Sequence, residues 1–163
     1  KIEGRMKTAL YVATVARTYR KAIDDYMESP ELYRSNMEYY KSEIAKCTYR
    51  QFTTGFYFGK TDSDSQIYDN NTYIKNYTYI GNVQLVTEDG LAVFEQKNKF
   101  SVGEMIEAMD FDGTNISCRV EEIYNDKMEK MESAPHPQQV LFIDLGEPLE
   151  CYDILRRKEE EQP

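Results

Sequence analysis

The chain has 163 residues, of which 40% are apolar and 30% charged, a composition that supports a buried core and excludes wholesale disorder. No apolar run approaches the roughly 18 residues that a membrane-spanning helix requires, and no signal-peptide core is present, so we expect a cytoplasmic protein with no membrane partner. Residues 1–60 contain 11 Lys and Arg against 7 Asp and Glu, whereas residues 61–163 contain 9 against 22, so the second part is a poor candidate for autonomous nucleic-acid binding.

Two helices are predicted at the start of the chain. Apolar side chains in residues 8–28 recur at spacings of three and four, which predicts one apolar stripe along a helix: Val12, Val15, Ala16, Tyr19, Ala22, Ile23 and Tyr26. Ser29 can cap a second helix and Pro30 fits its first turn, so this helix is predicted to extend to about Lys46. The tyrosines of both helices could stack on nucleic-acid bases, but their spacing favours packing of helix on helix or helix on barrel.

A loop and a linker are predicted after the helices. Residues 47–60 are rich in aromatic residues and glycine and contain Arg50 without a phosphate-loop pattern around it. Residues 61–75 are polar and are the best linker candidate in the chain. Asp62 and Asp64 lack the spacing of a calcium-binding loop, so a solvated loop is predicted there.

From Tyr73 onward the apolar residues alternate with polar ones, which predicts strands. Turn residues such as Asp89-Gly90 separate them, and Asn98 and Gly103 are expected to reverse the chain with positive backbone torsions. The strand spacing indicates a sandwich or a closed barrel. The predicted strands are Tyr77–Thr87, Leu91–Gln96, Met105–Met109, Ile116–Tyr124, Met128–Ser133, Val140–Leu145 and Cys151–Arg156.

The sequence therefore predicts an α+β, mainly β fold, with a helical arm of two helices followed by a small antiparallel β-barrel. The order of its glycine and acidic landmarks resembles the barrel of the second domain of translation factors, which implies a fold and no function. The predicted division is a helical segment with an aromatic loop at 1–60, a linker at 61–75, a barrel at 76–157 and a frayed tail at 158–163.

No catalytic centre is predicted from the residues themselves. His136 is the only histidine, and its flanking prolines predict an exposed turn. The pairs Glu104/Glu107 and Glu121/Glu122 are interpreted as a solvated acidic face, and neighbouring strand residues such as the latter pair point to opposite sides of a sheet.

The cysteines predict neither a disulfide framework nor a zinc site. Cys47, Cys118 and Cys151 are widely spaced and odd in number. We therefore expect free thiols, buried or half-buried, in a reducing compartment.

Five blocks of sequence together resemble one protein family, the collagenase-like bacterial peptidases of peptidase family U32. The blocks occur in the order of the family and span nearly the whole chain: KIEGRMK (1–7) with LYVATVARTYRKAIDDY after it, YRQFTTGFYFG (49–59), FEQKNKFSVGEMIE (94–107), APHPQQ (134–139) and YDILRR (152–157). The family pattern usually has Ser-His before the arginine of the aromatic block, and Thr48-Tyr49 stand there in this chain. Any role of that histidine is therefore absent.

The resemblance implies that this chain is the C-terminal portion of a longer protein. Its N-terminal catalytic domain would resemble a TIM barrel and would lie upstream of Lys1, with cysteines that ligate an iron–sulfur cluster in several members. The three cysteines of this chain match no cluster motif, so no cofactor is expected in it. Relatives are called peptidases or collagenases, and others take part in hydroxylation of tRNA or ribosomal RNA.

Three hypotheses follow about function. The first is a non-catalytic accessory or substrate-positioning module that acts with its own N-terminal catalytic domain on an RNA or peptide substrate. The second is a small peptidase with an unrecognised active site, and the third is a stand-alone RNA-binding barrel, which the acidic second part disfavours. The first helix, apart from its packing partner, also predicts a homodimer. The candidate contact residues of the helical arm are Arg5, Lys7, Arg17, Arg20, Lys21 and Arg50.

Overall fold

The structure, a computed structural model, describes residues 1–47, 55–60, 76–110 and 113–159. Residues 48–54, which are half of the predicted aromatic loop, the whole predicted linker and residues 160–163 lie outside the described residues, so the domain boundaries stay a prediction. In the described ranges three helices precede ten strands. None of these helices is long and apolar enough to cross a membrane.

The first helix, α1, spans Ala9–Glu28 and confirms the predicted helix. Thr8 caps it, because its hydroxyl oxygen accepts a hydrogen bond from the N–H of Tyr11 at 3.3 Å. Ser29 follows the last turn of α1 and caps the next helix through the N–H of Leu32 at 3.0 Å. Hydroxyl side chains therefore cap the N-termini of both helices.

The predicted second helix is two helices, α2 (Pro30–Ser35) and α3 (Met37–Ile44). The break lies at Asn36, whose backbone torsions of −92° and 7° leave the helical region. The Asn36 side chain donates a hydrogen bond to Asp25 Oδ2 on α1 at 2.9 Å. This contact across to α1 accompanies the break and turns the chain between the two short helices.

Eight of the ten strands form one curled antiparallel sheet, a half-barrel with β5 and β7 at its edges. The sheet order is β5-β4-β10-β1-β2-β9-β6-β7, and β3 pairs with β8 in a separate two-stranded ribbon. The predicted mainly β fold with a helical arm is therefore confirmed, with an open rather than a closed sheet. The strands are β1 Tyr77–Val86, β2 Ala92–Glu95, β3 Phe100–Ser101, β4 Met105–Met109, β5 Asn115–Arg119, β6 Glu122–Tyr124, β7 Lys130–Met131, β8 Ser133–Ala134, β9 Val140–Asp144 and β10 Ile154–Lys158.

Several predicted strands have different limits, and the strand predicted at 128–133 is divided into β7 and β8. The single strand predicted at 116–124 is divided into β5 and β6, because the N–H of Val120 donates to Glu104 and that of Glu121 donates to Asp144. Neighbouring residues thus bind different parts of the sheet. The last strand begins at Ile154 rather than at residue 151 and includes Lys158, which was predicted to lie in the tail.

The predicted chain reversals are half right. Gly103 has a φ of 87° and follows β3, as expected. Asn98 is not among the residues with positive φ. Its side chain instead donates a hydrogen bond to the carbonyl of Tyr79 at 2.7 Å, so Asn98 joins its turn to β1.

The apolar core lies inside the half-barrel. A Cβ atom added at Gly81 would lie 2.3 Å from Cδ2 of Phe94, a distance that requires rearrangement. Gly81 therefore permits the Phe94 ring to cross β1 at the point where the register between β1 and β10 shifts. The largest fully buried apolar members of this core are Phe94, Phe100, Ile80, Ile106, Ile123, Leu141, Ile143, Leu155 and Val83.

The helices cover the opposite face of strands β4, β10 and β1. Alternation along β10 places Leu155 in the half-barrel core, whereas Ile154 faces the helices. The apolar contact between the two layers is small, with Leu10 of α1 packed on Met109 and Ile154. Most of the hydrogen bonds that join the helical segment to the sheet involve a charged side chain.

Candidate functional site

Five charged side chains meet between the helices and the sheet, and we call this group the charged seam: Arg17 of α1, Glu43 of α3, Lys46 after α3, Glu107 of β4 and Arg156 of β10. The side chains of Arg17, Glu43 and Arg156 are 8%, 3% and 0% exposed. Three cations and two carboxylates are thus collected at a site that water scarcely reaches. Buried charges of this kind require partners.

Glu43 is the centre of the charged seam. Its Oε2 accepts hydrogen bonds from Nη2 of Arg17 at 2.9 Å and from Nη2 of Arg156 at 3.1 Å. Its Oε1 accepts from Nδ2 of Asn115 at 3.0 Å and lies 2.7 Å from Nζ of Lys46. One carboxylate therefore joins α1, α3, β5 and β10.

Arg156 continues the charged seam to the sheet. Its Nε donates to Glu107 Oε1 at 2.6 Å, and its Nη2 also binds that oxygen. Its guanidinium lies over the ring of Tyr77, 5.2 Å from the ring centroid, and Nζ of Lys46 lies 5.5 Å from the same centroid. Lys46 in turn bridges Glu43 and Glu107. Every charge in the seam has an opposite charge as a direct partner.

Arg17 was predicted to contact a partner, and the structure places it inside the charged seam. Its Nη1 donates to the backbone carbonyls of Asp110 at 2.8 Å and Thr114 at 3.0 Å. Its Nη2 donates to Asn115 Oδ1 at 2.7 Å as well as to Glu43. Arg17 therefore binds groups of its own chain and anchors α1 to the sheet.

The surroundings of Glu43 favour its ionised form. Burial raises the pKa of Glu43, but the hydrogen bond from Lys46 and the charge of Arg156 outweigh it and hold this pKa below its usual value. Burial lowers the pKa of Arg17, and the charge of Glu43 opposes that change. An ionised, buried and fully bonded carboxylate is poorly placed to exchange protons with a substrate. The seam can join layers, and its geometry does not favour acid–base chemistry.

The roles of Glu43, Lys46 and Arg156 were not predicted from the sequence. A signal for Arg156 was available, because alternation places it on the same strand face as Ile154, which is buried against α1. Glu107 was interpreted as part of a solvated acidic face, and this is wrong. Glu104 also departs from this interpretation, because its carboxylate accepts a hydrogen bond from Nη1 of Arg157 at 2.6 Å.

The next two predicted contact residues, Arg20 and Lys21, form ion pairs along α1. Exposed Arg20 binds Asp24, and Nζ of Lys21 lies 3.1 Å from Oδ1 of Asp25. Asp25 is buried and also accepts from the hydroxyl of Tyr40 at 2.5 Å. Burial of the phenol, followed by this hydrogen bond, raises the pKa of Tyr40 to about 12. Lys21 is therefore partly engaged in the contact of α1 with α3.

The remaining predicted contact residues differ in position. Arg5 and Lys7 lie exposed in the turn before α1, and Nζ of Lys7 is 5.4 Å from the ring centroid of Tyr11. Arg50 lies outside the described residues. Among the predicted contact residues that the structure describes, those with exposed side chains are Arg5, Lys7 and Arg20.

The tyrosines of the helices differ in how far they are packed and how far they are exposed. Tyr33 stacks on Tyr40 with centroids 5.7 Å apart, and Tyr26 meets the edge of Tyr33 at 5.6 Å. Packing between helices, the favoured interpretation, is therefore confirmed for these rings. Tyr19 and Tyr26 remain largely exposed on α1.

The histidine and cysteines form no common site. His136 lies in an exposed turn, as predicted. Cys47 and Cys118 are buried free thiols, and burial raises the pKa of each, but Cys151 is exposed, contrary to the prediction. Within the described ranges no group of three or more His, Cys, Asp or Glu side chains is arranged to hold a metal ion.

Two family models match the chain on either side of the predicted linker. The model described as "Peptidase family U32 C-terminal domain" matches residues 75–156, and the model described as "Peptidase family U32" matches residues 1–67. The first covers the half-barrel and the second covers the helical arm.

Curated relatives align with almost the entire chain. The chain is 30% identical to tRNA hydroxylation protein P1 of Bacillus subtilis over 158 residues, which is 96% of this chain and 37% of that protein. It is 33% identical to tRNA hydroxylation protein P of Escherichia coli, over 96% of this chain and 34% of that protein. An uncharacterized protease of Methanocaldococcus jannaschii is 45% identical over 58 residues, 36% of this chain and 14% of that protein. The chain thus spans about a third of the length of the tRNA hydroxylation proteins it matches.

A solved structure also matches, the C-terminal domain of a U32 peptidase homologue from Geobacillus thermoleovorans. The match has 26% identity and a TM-score of 0.45 and covers 50% of this chain and 92% of that chain.

Proposed function

The chain belongs to peptidase family U32 and contains the C-terminal domain of that family, and from this we propose that it is a non-catalytic module of a tRNA hydroxylation protein, which positions tRNA for a catalytic domain elsewhere in the parent polypeptide. The parent is the longer protein that the relatives' lengths suggest. A cytoplasmic location follows from a tRNA substrate.

The observation that carries the proposal is the charged seam. It joins α1 and α3 to β4, β5 and β10 through bonds that each require a defined geometry, so the helical arm and the half-barrel are held as one unit. The carboxylates of the seam, Glu43 and Glu107, are engaged in that task. A unit of this kind is suited to holding a substrate in a fixed orientation relative to a catalytic group.

The choice of tRNA rests on the relatives that align over 96% of the chain. Of the predicted contact residues, Arg5 and Lys7 would supply the phosphate contacts, because Arg20 and Lys21 already pair with Asp24 and Asp25. These residues lie in the basic part of the chain, away from the acidic half-barrel. The half-barrel would contribute orientation rather than phosphate binding.

The test is tRNA binding by the chain across a salt series, with the double variant R5Q/K7Q and the matched control R34Q/K41Q. Both variants remove two exposed cations, and those of the control already pair with Glu31 and Glu38. We expect salt-sensitive binding, with a slope of log affinity against log salt that falls by roughly one per lost contact in R5Q/K7Q. The control should retain the wild-type slope.

Two results would contradict the proposal. Absence of tRNA binding at low salt would remove the RNA role, and equal weakening by both variants would show a general charge effect instead of a defined contact.

A peptide substrate is the second candidate, favoured by the 45% identity over 58 residues to an uncharacterized protease. Under this alternative the same module would position a peptide for the parent. Peptide turnover by the purified chain itself, retained after repeated purification, would contradict the non-catalytic role in both versions.

A further inference from the structure

Helix α1 turns its polar side to the protein and much of its apolar side to solvent. The buried residues of α1 include Thr14, Thr18 and Asp25, and Arg17 enters the charged seam from the same side. The exposed apolar residues follow the stripe seen in the sequence, and we call them the outer face of α1: Val12, Tyr19, Ile23, Tyr26 and Met27, which are 41%, 54%, 51%, 54% and 77% exposed. A helix on the surface of a complete domain usually has the opposite arrangement.

The outer face borders two adjoining cavities. One has a volume of about 460 Å³ and is lined by Tyr11, Val15, Tyr19, Ile23 and Ile44, among others. The other has a volume of about 360 Å³ and is lined by Ala22, Tyr26, Met27 and Tyr33 together with Tyr19 and Ile23. Because Tyr19 and Ile23 line both, the two cavities form one continuous apolar groove along α1. Contiguous apolar surface of this kind marks an interaction site.

We propose that the outer face of α1 docks onto an apolar surface of the polypeptide that precedes Lys1 in the parent. This inference rests on the proposed function, which supposes that the parent exists. Lys1 and Ile2 themselves line the larger cavity, so a preceding segment leaves the chain beside the groove. The curated relatives have roughly two thirds of their length outside the aligned part, which supplies enough polypeptide to cover it.

The chemistry of the outer face selects an apolar partner. Beside it, Arg20 and Asp24 neutralise each other as an ion pair, so this side of α1 offers little net charge to RNA. A second copy of the chain is the competing occupant, and the test below separates it from the preceding polypeptide. The tyrosines on the face add flat rings that suit packing on apolar side chains.

The test measures the reaction of a cysteine on the outer face with a polar maleimide. The variant I23C is made in a C151S background, which removes the exposed native thiol and leaves buried Cys47 and Cys118. K41C, on α3 at an exposed position, is the matched control. Each is made in the 163-residue chain and in the full product of its gene. Y26C provides a second reading, and thermal unfolding checks that each variant is folded.

We expect I23C and Y26C to react rapidly in the 163-residue chain and about tenfold or more slowly in the full product. K41C should react at similar rates in both. Equal rates at all positions would overturn the proposal. Slow reaction of I23C in the 163-residue chain, relieved by dilution and accompanied by a dimer in light scattering, would overturn it in favour of a second copy.

Added tRNA separates this inference from the proposed function. Slower reaction of I23C only in the presence of tRNA would overturn the docking inference and make the outer face an RNA surface. If tRNA fails to bind at low salt, the proposed function fails, while protection of I23C in the full product would still support docking.

Discussion

The interior of the half-barrel and the charged seam are both buried, but they are held together by different forces. The half-barrel core consists of apolar side chains such as Phe94 and Leu155, whose burial is favourable in any close-packed arrangement. The seam consists of charges such as Glu43 and Arg156, which are favourable only when each donor meets its acceptor. The core therefore supplies stability, whereas the seam fixes how the helices sit on the sheet.

Truncation in the core should have the largest effect. Phe94 is fully buried and contacts Phe100 with ring centroids 5.9 Å apart. We expect F94A to lower the free energy of unfolding by about 3–5 kcal/mol, since it leaves a cavity. Urea denaturation measures the change, and F94L should recover part of the loss. A loss equal to that of a surface substitution would contradict the assignment of Phe94 to the core.

Removal of the central carboxylate of the seam should come next. E43Q keeps the shape of the side chain but leaves Arg17, Lys46 and Arg156 without their shared partner, and we expect a loss of about 3 kcal/mol.

The control for E43Q replaces charges together. A variant with Leu at position 43 and Met at positions 17 and 156 should be closer to wild type in urea denaturation, because the unpaired charges are gone. If this variant were less stable than E43Q, the ion pairs would be contributing net stability, and the distinction between core and seam would be weaker than proposed.

Acid should act on the seam and spare the core. The pKa of folded Glu43 is lower than its usual value, so its contribution to stability is present above the unfolded pKa of about 4.3 and is lost as pH falls through the folded pKa. The pKa of Asp25 is lowered too, mainly by the hydrogen bond from Tyr40. As the pH is lowered below about 4, we expect the urea concentration at the unfolding midpoint to decrease for wild type and for F94A. The decrease should be smaller for E43Q, which lacks the Glu43 carboxylate. Parallel curves for all three would contradict this prediction.

The exposed ion pair of α1 should have the smallest effect. R20Q breaks the contact with Asp24, where both side chains are more than half exposed. Solvent screening leaves such pairs little influence on stability. We expect a thermal midpoint within the scatter of wild-type replicates, and a clear decrease would mean that α1 is held by its own surface charges as well as by the seam.

The sequence predicted well where the determinants are local. Ser29 and Pro30 signalled the end of α1 and the start of α2, and alternation located most strands and the apolar positions that form the core. The break at Asn36 was not predictable, because its partner Asp25 lies 11 residues away on another helix. Periodicity identified the apolar stripe of α1 but did not determine that the opposite, polar side would face the sheet.

The charged seam could not be predicted from local sequence patterns either, because its members are far apart in the chain. Glu43 and Arg156 are 113 residues apart, and Arg17 and Asn115 are 98 apart. A charged residue considered alone favours solvent, and only the presence of several opposite charges from distant strands makes its burial favourable. The predicted contact role of Arg17 was therefore assigned to a residue whose partners could not be seen in the sequence.

The position of β10 has a consequence for biosynthesis. This strand lies between β4 and β1 and is the last strand of the sheet to be translated. Until β10 emerges from the ribosome, the β4-β5 hairpin has no strand that connects it to β1. Glu43 also lacks the hydrogen bond from Arg156 until then. The nascent chain therefore has its sheet in two separate parts. When β10 is added, it joins the two parts of the sheet and also completes the contact of the sheet with the helices. Ribosome stalling before residue 154 should leave the nascent chain open to proteases and chaperones, and release should close it in one cooperative step.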